Sequence, residues 1–284
     1  MSQLLALEMD RVDHVQSIRR NEALVNKQPT TDLPSIFDDG EAYDLMLKDI
    51  PYGLDFYVGL AREANGPVLD IACGTGRILL RCLQAGVDIE GLDLFEPMLK
   101  TLRKKAADLN LSPVLHQADM CDFSLPRRFA LIMIPFNAFI HNMTQGAQIS
   151  CLTHCREHLL PGGSLVFDTF FPSLEIVGAP QNTRVLEGEM PHPETGLPMR
   201  LYDTRSFDRV AQEQHSLNEI ELLASDGSVQ SVHRSEIRSR YIYKHEMELL
   251  LRVAGFARWE IYGDFDRHPL TRESDAMVVA AWNA

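Results

Sequence analysis

The sequence Val-Leu-Asp-Ile-Ala-Cys-Gly-Thr-Gly-Arg at residues 68–77 gives the most direct information about the fold of this chain. Its first four residues predict a buried strand. Gly74 and Gly76 predict a sharp turn whose backbone can approach a ligand closely. Residues 78–83 continue with the apolar spacing of a helix. A strand, a glycine turn and a helix in this order are typical of the first unit of a nucleotide-binding α/β sheet.

A second predicted strand, residues 89–93, ends in an acidic side chain. This residue, Asp93, lies about 20 residues beyond the glycine turn, the separation at which a carboxylate binds the ribose hydroxyls of a nucleotide. We therefore expect a cofactor that contains a nucleoside, with Asp93 on its ribose.

The turn also indicates which nucleoside cofactor to expect. The dinucleotide fingerprint requires a third glycine, and this chain has Leu79 at that position. Asp70, at the end of the first strand, would repel the diphosphate that such a turn binds. The same carboxylate would attract a cofactor that carries an ammonium and a sulfonium. NAD is disfavoured on both grounds.

The pattern Asp-x-Ala-Cys-Gly-Thr-Gly resembles the glycine loop of the class I S-adenosylmethionine-dependent methyltransferases, with Ala72 where that family usually has glycine. The resemblance extends over residues 41–171 and 241–284. Five later segments match the third strand with its acidic loop, the fourth strand, the Leu-x-Pro-Gly-Gly-x-Leu turn into the fifth strand, and the last two strands: 114–122, 129–134, 154–168, 250–263 and 276–282.

This resemblance implies a doubly wound α/β fold with a seven-stranded, mixed and mostly parallel sheet. It also implies S-adenosyl-L-methionine as cofactor and S-adenosyl-L-homocysteine as product. The loops after the parallel strands would meet along one crevice. The implied cofactor-binding residues are Tyr43, Asp70, Ala72, Gly74, Gly76, Arg77, Asp93, Leu94, Met98, Asp119, Met120 and Pro135.

Several of these residues have a specific expected role. Asp70 would lie near the amino-acid end of the cofactor, and Asp119 and Met120 would contact its adenine. Arg77 would pair with the cofactor carboxylate as a bidentate fork, or would be solvated. Two other members of the set, Tyr43 and Met98, could either contact the cofactor or only pack.

Two residues after the fourth strand, Asn137 and His141, are the candidate catalytic residues, because that position lies beside the expected methyl group. Histidine has a suitable pKa for a general base near neutrality. Residues 139–141 also look like the start of a helix, where a histidine often only packs. Methyl transfer mainly requires alignment and exclusion of water, and a base is needed only for a protonated nucleophile.

The chain divides into four predicted regions. Residues 1–40 would form an N-terminal helix (3–20) and a linker. Residues 41–171 would form the cofactor-binding core, beginning with two short helices at 41–48 and 55–64. An antiparallel β insertion at 172–240, with a hairpin turn at Asp226-Gly227, would roof the active site or form a dimer contact. Residues 241–284 would complete the core sheet.

Composition limits the partners. The 284 residues carry a formal net charge of −13, which argues against unaided binding to nucleic acid or anionic membranes. Only one proline, Pro135, follows the fourth strand, whereas relatives that methylate nucleic-acid bases carry a Pro-Pro-aromatic signature there. No secretory signal is evident, and the five cysteines form no CxxC pair. We expect a cytoplasmic protein with reduced cysteines, no metal, a small-molecule acceptor and a possible homodimer.

The sequence therefore predicts a class I S-adenosylmethionine-dependent methyltransferase that acts on a nitrogen or oxygen atom of a small molecule. Two alternatives stay open. An enzyme of the same fold could use the cofactor for another outcome, such as cyclisation. The chain could also be a non-catalytic protein that binds the cofactor or a partner, although its intact glycine loop and Asp93 argue against a degenerate site.

Overall fold

The computed structural model describes residues 33–47, 50–193, 195–272, 274 and 276–283. The helix predicted at 3–20 lies outside these ranges, as do residues 27–32 of the linker predicted at 27–40. Where the linker is described, residues Ile36–Asp38 form a 3-10 helix whose N-terminus is capped by Ser35. None of the helices in the described ranges is long and apolar enough to cross a membrane.

Helices and strands alternate through the first half of the described chain. The helices are α1 (Gly40–Leu47), α2 (Leu54–Glu63), α3 (Leu79–Gln84), α4 (Glu96–Asp108), α5 (Gln145–His158), α6 (Leu174–Val177) and α7 (Lys244–Val253). The strands are β1 (Val68–Ile71), β2 (Ile89–Asp93), β3 (Val114–Gln117), β4 (Phe129–Ile134), β5 (Leu159–Phe170), β6 (Thr183–Pro191), β7 (Pro198–Asp208), β8 (Glu213–Leu223), β9 (Val229–Arg240), β10 (Arg258–Tyr262) and β11 (Ala276–Trp282).

Seven strands form the large sheet, in the order β10-β11-β5-β4-β1-β2-β3. Strands β1 to β5 pair in parallel, whereas β11 pairs antiparallel with both β5 and β10. This arrangement confirms the predicted doubly wound mixed sheet. Apolar side chains fill both faces of its central strands, as the continuous burial of β1 shows, and this is typical of parallel sheets covered by helices.

The order of the large sheet also places the ligand site. From β1 the chain continues to β2 on one side, whereas β4 pairs with β1 on the other side. A crevice opens where the strand order reverses, outside the carboxyl ends of the strands, and ligands of open α/β sheets bind there. The glycine turn after β1 and Pro135 after β4 both lie at this point.

The other four strands form the small sheet, which is antiparallel throughout, in the order β6-β7-β8-β9. An antiparallel insertion after the fifth strand is therefore confirmed as part of the fold. Strand β6 was not anticipated, because its region contains several prolines. It is an edge strand with a register shift between Leu186 and Gly188, and Pro191 stands at its end, positions that tolerate proline and glycine.

Two local details differ from expectation. The Pro-Gly-Gly residues at 161–163 lie inside β5, opposite a register shift between Phe129 and Leu131 of β4, rather than in a turn that precedes the strand. The helix expected at residues 139–141 is one turn of 3-10 helix, Ala138–His141.

One buried carboxylate joins three parts of the core. Asp168 of β5 is fully buried, and its Oδ1 accepts hydrogen bonds from the Tyr57 hydroxyl at 2.6 Å and the Phe136 amide at 2.9 Å. Its Oδ2 accepts from the Asn137 amide at 2.9 Å. Phe136 and Asn137 both have φ of 61°, a left-handed conformation that is costly for residues other than glycine. Asp168 therefore holds the turn after β4 in a strained shape.

Replacing Asp168 by asparagine should lower the free energy of unfolding by about 3 kcal/mol, because an amide nitrogen would then face a backbone N–H donor and one buried donor would lose its acceptor. The control is Tyr57→Phe, which removes a single hydrogen bond and should cost about 1–2 kcal/mol. Denaturant unfolding followed by circular dichroism measures both. If both substitutions lowered the free energy of unfolding by the same amount, the turn after β4 would not depend on the Asp168 carboxylate.

Candidate active site

The glycine turn after β1 is built from residues with unusual backbone angles. Ala72, Gly74 and Gly76 have φ of 55°, 54° and 88°. A Cβ atom at Gly74 would be in ordinary van der Waals contact with Met98 Cε at 3.4 Å, so packing does not require glycine there. A Cβ at Gly76 would lie 2.8 Å from Leu102 Cγ and 2.9 Å from Leu80 Cγ. Gly76 is therefore required by the packing of α3 and α4, and Gly74 by the turn itself.

Asp93, at the end of β2, closes the turn from the other side. Its Oδ2 accepts a hydrogen bond from the Gly74 amide at 2.8 Å, and its Oδ1 accepts one from the Phe95 amide at 2.9 Å. Each carboxylate oxygen can accept more than one hydrogen bond, so ribose hydroxyls could still be bound. Burial raises the pKa of Asp93, and these backbone hydrogen bonds oppose the rise.

An acidic and a basic side chain lie in the crevice without their full set of hydrogen-bond partners. Asp70 is buried, and its Oδ1 has no hydrogen-bond partner. Burial raises the pKa of Asp70 to about 8, although the nearby Arg77 lowers it. Arg77 donates from Nη1 to the backbone oxygens of Ile50 and Tyr52, at 2.8 and 3.0 Å, while its buried Nη2 has no partner. Its guanidinium also stacks over the Phe136 ring at 4.4 Å.

Helix α1 covers the glycine turn. Its Asp44 accepts hydrogen bonds from the Thr75 hydroxyl at 2.6 Å and from Lys105 of α4 at 2.8 Å. Tyr43, one residue earlier, is partly buried, and its pKa is raised by burial, with Arg77 lowering it and Asp93 raising it. The aromatic residue expected over the cofactor therefore lies close to both charged sides of the glycine turn.

The predicted adenine side contains residues of differing exposure. Asp119 is exposed, and its carboxylate accepts a hydrogen bond from the Cys121 amide at 2.8 Å. Met120 is partly buried, and its sulfur accepts a hydrogen bond from the Asn142 side-chain amide at 3.3 Å. Leu94 is 50% exposed beside Asp93. Met98, by contrast, is only 2% exposed and packs beneath Gly74. Its environment is that of a core residue.

The turn after β4 presents the two candidate catalytic residues. Pro135 is buried, and the strained Asn137 that follows has a buried Oδ1 without a hydrogen-bond partner. His141 lies one 3-10 turn later, with its Nδ1 3.0 Å from the backbone oxygen of Arg238 in β9. A carbonyl oxygen can only accept, so Nδ1 carries the proton and Nε2 keeps a free lone pair. Burial lowers the pKa of His141, so the ring is neutral near pH 7.

Four rings from separate segments meet beside this turn. Phe37 lies 6.1 Å from Tyr43, 5.1 Å from Phe95 and 5.2 Å from His141 between ring centroids. These distances are within the range of favourable aromatic contacts. The ring cluster therefore links the segment before β1, the loop after β2 and the turn after β4.

Comparison with known proteins agrees with this geometry. A methyltransferase domain family matches residues 68–163. The cypemycin N-terminal methyltransferase of a Streptomyces species is 27% identical over 251 residues, which are 87% of this chain and 97% of that protein. The solved structure of the CcbJ methyltransferase from Streptomyces caelestis has a TM-score of 0.68 and 28% identity, with 83% of this chain and 96% of that chain covered.

The chain is similar to S-adenosylmethionine-dependent methyltransferases over most of its length, and its residues 68–163 match the methyltransferase domain. Another relative, the dTDP-3-amino-3,4,6-trideoxy-alpha-D-glucopyranose N,N-dimethyltransferase of Streptomyces venezuelae, is 36% identical over 141 residues, which are 47% of this chain and 58% of that protein. The expected family and its cofactor, S-adenosyl-L-methionine, are confirmed.

The residues of the crevice fit this cofactor. The methionine part of S-adenosylmethionine carries an ammonium and a carboxylate; the unpaired Asp70 Oδ1 could accept a hydrogen bond from the ammonium, and the unpaired Arg77 Nη2 could donate one to the carboxylate. Because Gly74 has no side chain, a cofactor could approach its backbone closely. When bound, the cofactor supplies a methyl group activated by its sulfonium.

Sequence reasoning missed several residues of this site. Asp168 and Tyr57 are 111 residues apart, and no local pattern joins them. Phe37 lies in the predicted linker, and the acidic Asp44 looks like an ordinary helix residue. Only Asp168 had a signal, because a carboxylate within an otherwise apolar strand requires a buried partner.

Asp70→Asn should raise the melting temperature of the ligand-free protein, by more near pH 8 than near pH 5. The native pKa of about 8 exceeds the ordinary value of 3.8, so the native state binds more protons between these values and loses stability as the pH rises. The same variant should bind S-adenosylmethionine more weakly, because the negative charge opposite the ammonium is lost.

Scanning calorimetry and isothermal titration measure the two effects. The control is Asp108→Asn, at an exposed position at the end of α4. A melting temperature of Asp70→Asn that follows the parent at every pH would contradict the raised pKa.

Proposed function

We propose that this protein transfers the methyl group of S-adenosylmethionine to an amine nitrogen of a small-molecule acceptor. The observation that carries the proposal is the state of His141. Its Nδ1 is committed to the Arg238 carbonyl oxygen, and its lowered pKa leaves Nε2 unprotonated near neutrality. Most alkyl amines are protonated at this pH and cannot attack a methyl group until they lose a proton. A neutral histidine beside the methyl position would remove it.

The chain contributes mainly orientation to this reaction. Asp168 fixes the turn that carries Asn137 and His141. The unpaired Asn137 Oδ1 would accept a hydrogen from the acceptor amine and direct its lone pair towards the methyl carbon. His141 Nε2 would first accept a proton from the alkylammonium and so free the nitrogen lone pair. The nitrogen would then take the methyl group that the cofactor supplies, with S-adenosylhomocysteine as the leaving group. Alignment of this kind can supply a large part of the rate acceleration.

Two relatives support a nitrogen acceptor rather than an oxygen. The cypemycin enzyme is named as an N-terminal methyltransferase, and the Streptomyces venezuelae enzyme as an N,N-dimethyltransferase of an amino sugar. The acidic net charge of this chain, −13, also favours cationic amines as they approach the crevice. We further propose that the small sheet covers the acceptor side, because β9 reaches His141 through the Arg238 carbonyl.

The direct test is product analysis by mass spectrometry. The protein is incubated with S-adenosylmethionine and dTDP-3-amino-3,6-dideoxy-alpha-D-glucopyranose, the compound for which an N,N-dimethyltransferase of Streptomyces fradiae, 36% identical over 104 residues, is named. A parallel incubation contains the matching sugar nucleotide that carries a hydroxyl in place of the amine. We expect methylation of the amine only, with an equal amount of S-adenosylhomocysteine. Methylation of the hydroxyl compound alone would contradict the nitrogen assignment, and release of methylthioadenosine would instead indicate cyclisation.

His141→Ala should lower kcat by about 10²–10⁴-fold, the range for loss of an acid–base group, without changing the affinity for S-adenosylhomocysteine. In the parent enzyme the rate should rise with pH through a histidine pKa below 6.5 and level off near neutrality. The variant should lack this inflection. His245→Ala is the control, since that side chain is 90% exposed. Superimposable pH profiles of His141→Ala and the parent would exclude the general base.

A further inference from the structure

Three polar residues form a straight row across the small sheet. Asp203 of β7 lies directly opposite Asn218 of β8, and Asn218 lies directly opposite Ser235 of β9. Residues directly opposite one another in antiparallel strands point to the same face of the sheet. With neighbouring strands about 4.8 Å apart, this polar row is about 10 Å long.

Each member of the polar row has a buried atom without a hydrogen-bond partner. These atoms are Asp203 Oδ1, Asn218 Nδ2 and Ser235 Oγ. Asp203 is only 8% exposed and Ser235 only 1% exposed. Arg205 binds the other carboxylate oxygen, Asp203 Oδ2, at 2.5 Å. An unpaired buried polar group destabilises the folded state, so three in one row are unusual.

The adjacent row on the opposite face is fully paired. There the Glu219 carboxylate accepts hydrogen bonds from Arg184 at 2.6 Å and from Arg234 at 2.9 Å. The Arg184 guanidinium also stacks over the Tyr202 ring, 3.3 Å from the ring centroid. Arg184 donates in addition to Glu221 at 2.6 Å. Among the described residues of the small sheet, the buried polar atoms without hydrogen-bond partners therefore all lie on the face with the polar row.

The face of the small sheet that carries the polar row packs against helix α1, which covers the glycine turn. Two residues before Asp203, Leu201 points the same way and packs with Met199 and Ile220 against Leu45 and Met46 of α1. Helix α1 is the element that holds the glycine turn through Asp44. On β9, three residues beyond Ser235, the Arg238 carbonyl oxygen binds His141. The face that carries the polar row therefore also contacts the helix that covers the cofactor crevice, and β9, which carries Ser235, reaches the candidate base.

We propose that the polar row binds the polar substituents of the methyl acceptor and thereby selects a hydroxylated amine. This inference rests on the proposed function. Asp203 Oδ1 can only accept a hydrogen bond, Asn218 Nδ2 can only donate one, and Ser235 Oγ can do both. A hydroxyl both donates and accepts, so a six-membered ring that carries hydroxyls and an amine matches all three atoms and the length of the row. An apolar amine of equal size would leave all three unpaired and is rejected for that reason.

The test compares Asp203→Asn and Ser235→Ala with the parent, using dTDP-3-amino-3,6-dideoxy-alpha-D-glucopyranose as acceptor and saturating S-adenosylmethionine. KM for the acceptor should rise about tenfold in each variant, the effect of one lost hydrogen bond of about 1.4 kcal/mol. The value of kcat should stay within about threefold of the parent, because neither residue touches the reacting atoms. Stabilisation by S-adenosylhomocysteine should not change.

Glu221→Gln is the matched control, because it makes the same carboxylate-to-amide change on the opposite face of the small sheet. Its KM should equal that of the parent. Ser235→Ala also controls for loss of stability. Ser235 Oγ has no hydrogen-bond partner, so its removal should not lower the melting temperature. An unchanged KM in both row variants, or an equal rise in Glu221→Gln, would overturn the proposal.

If the parent forms no methylated product, the proposed function fails with this acceptor, and binding then tests the polar row separately. A rise in melting temperature caused by the same sugar nucleotide in the presence of S-adenosylhomocysteine, and lost in both row variants, would support the row as its binding site. No rise in the parent would overturn it.

Discussion

The carboxylate of Asp168 is the constraint on which the rest of the site depends. It lies within a strand of the large sheet, where water cannot solvate it, and it is stabilised by a tyrosine hydroxyl and two backbone amides. Those amides belong to two successive residues in the left-handed conformation. Strain of this kind persists only where surrounding contacts enforce it, and it is concentrated at functional sites. The positions of Asn137 and His141 thus follow from an interaction buried beneath them.

The charges in the crevice show a related trade-off between stability and function. Asp70 and Arg77 each keep one buried atom without a partner in this structure. Pairing them with protein groups would stabilise the fold, but the crevice would then have nothing to offer a zwitterionic ligand. Active sites often retain groups that are destabilising until the ligand binds. Ala72, held at φ of 55° where its family usually has glycine, adds a small backbone cost at the same turn.

Sequence patterns predicted the parts of the molecule that depend on neighbouring residues. The glycine turn, the acid at the end of β2 and the alternation of strands and helices are local features, and the family resemblance that they carry predicted the large sheet and the cofactor. The pairing of Tyr57 with Asp168 depends on contacts between distant segments. The polar row depends on the register of three strands, and a shift of one residue would turn Asn218 to the other face. Strand β6 was missed because its largely exposed residues lack an apolar alternation.

Helix α1 is in contact with both halves of the site. Asp44 binds the glycine turn, while Leu45 and Met46 pack against the small sheet. A movement of this short helix on cofactor binding would therefore alter the surface offered to the acceptor. Thermodynamic linkage requires the reverse effect to be equal, so that each ligand changes the affinity of the other by the same factor. The structure thus provides a physical basis for cooperative binding of the cofactor and the acceptor through helix α1.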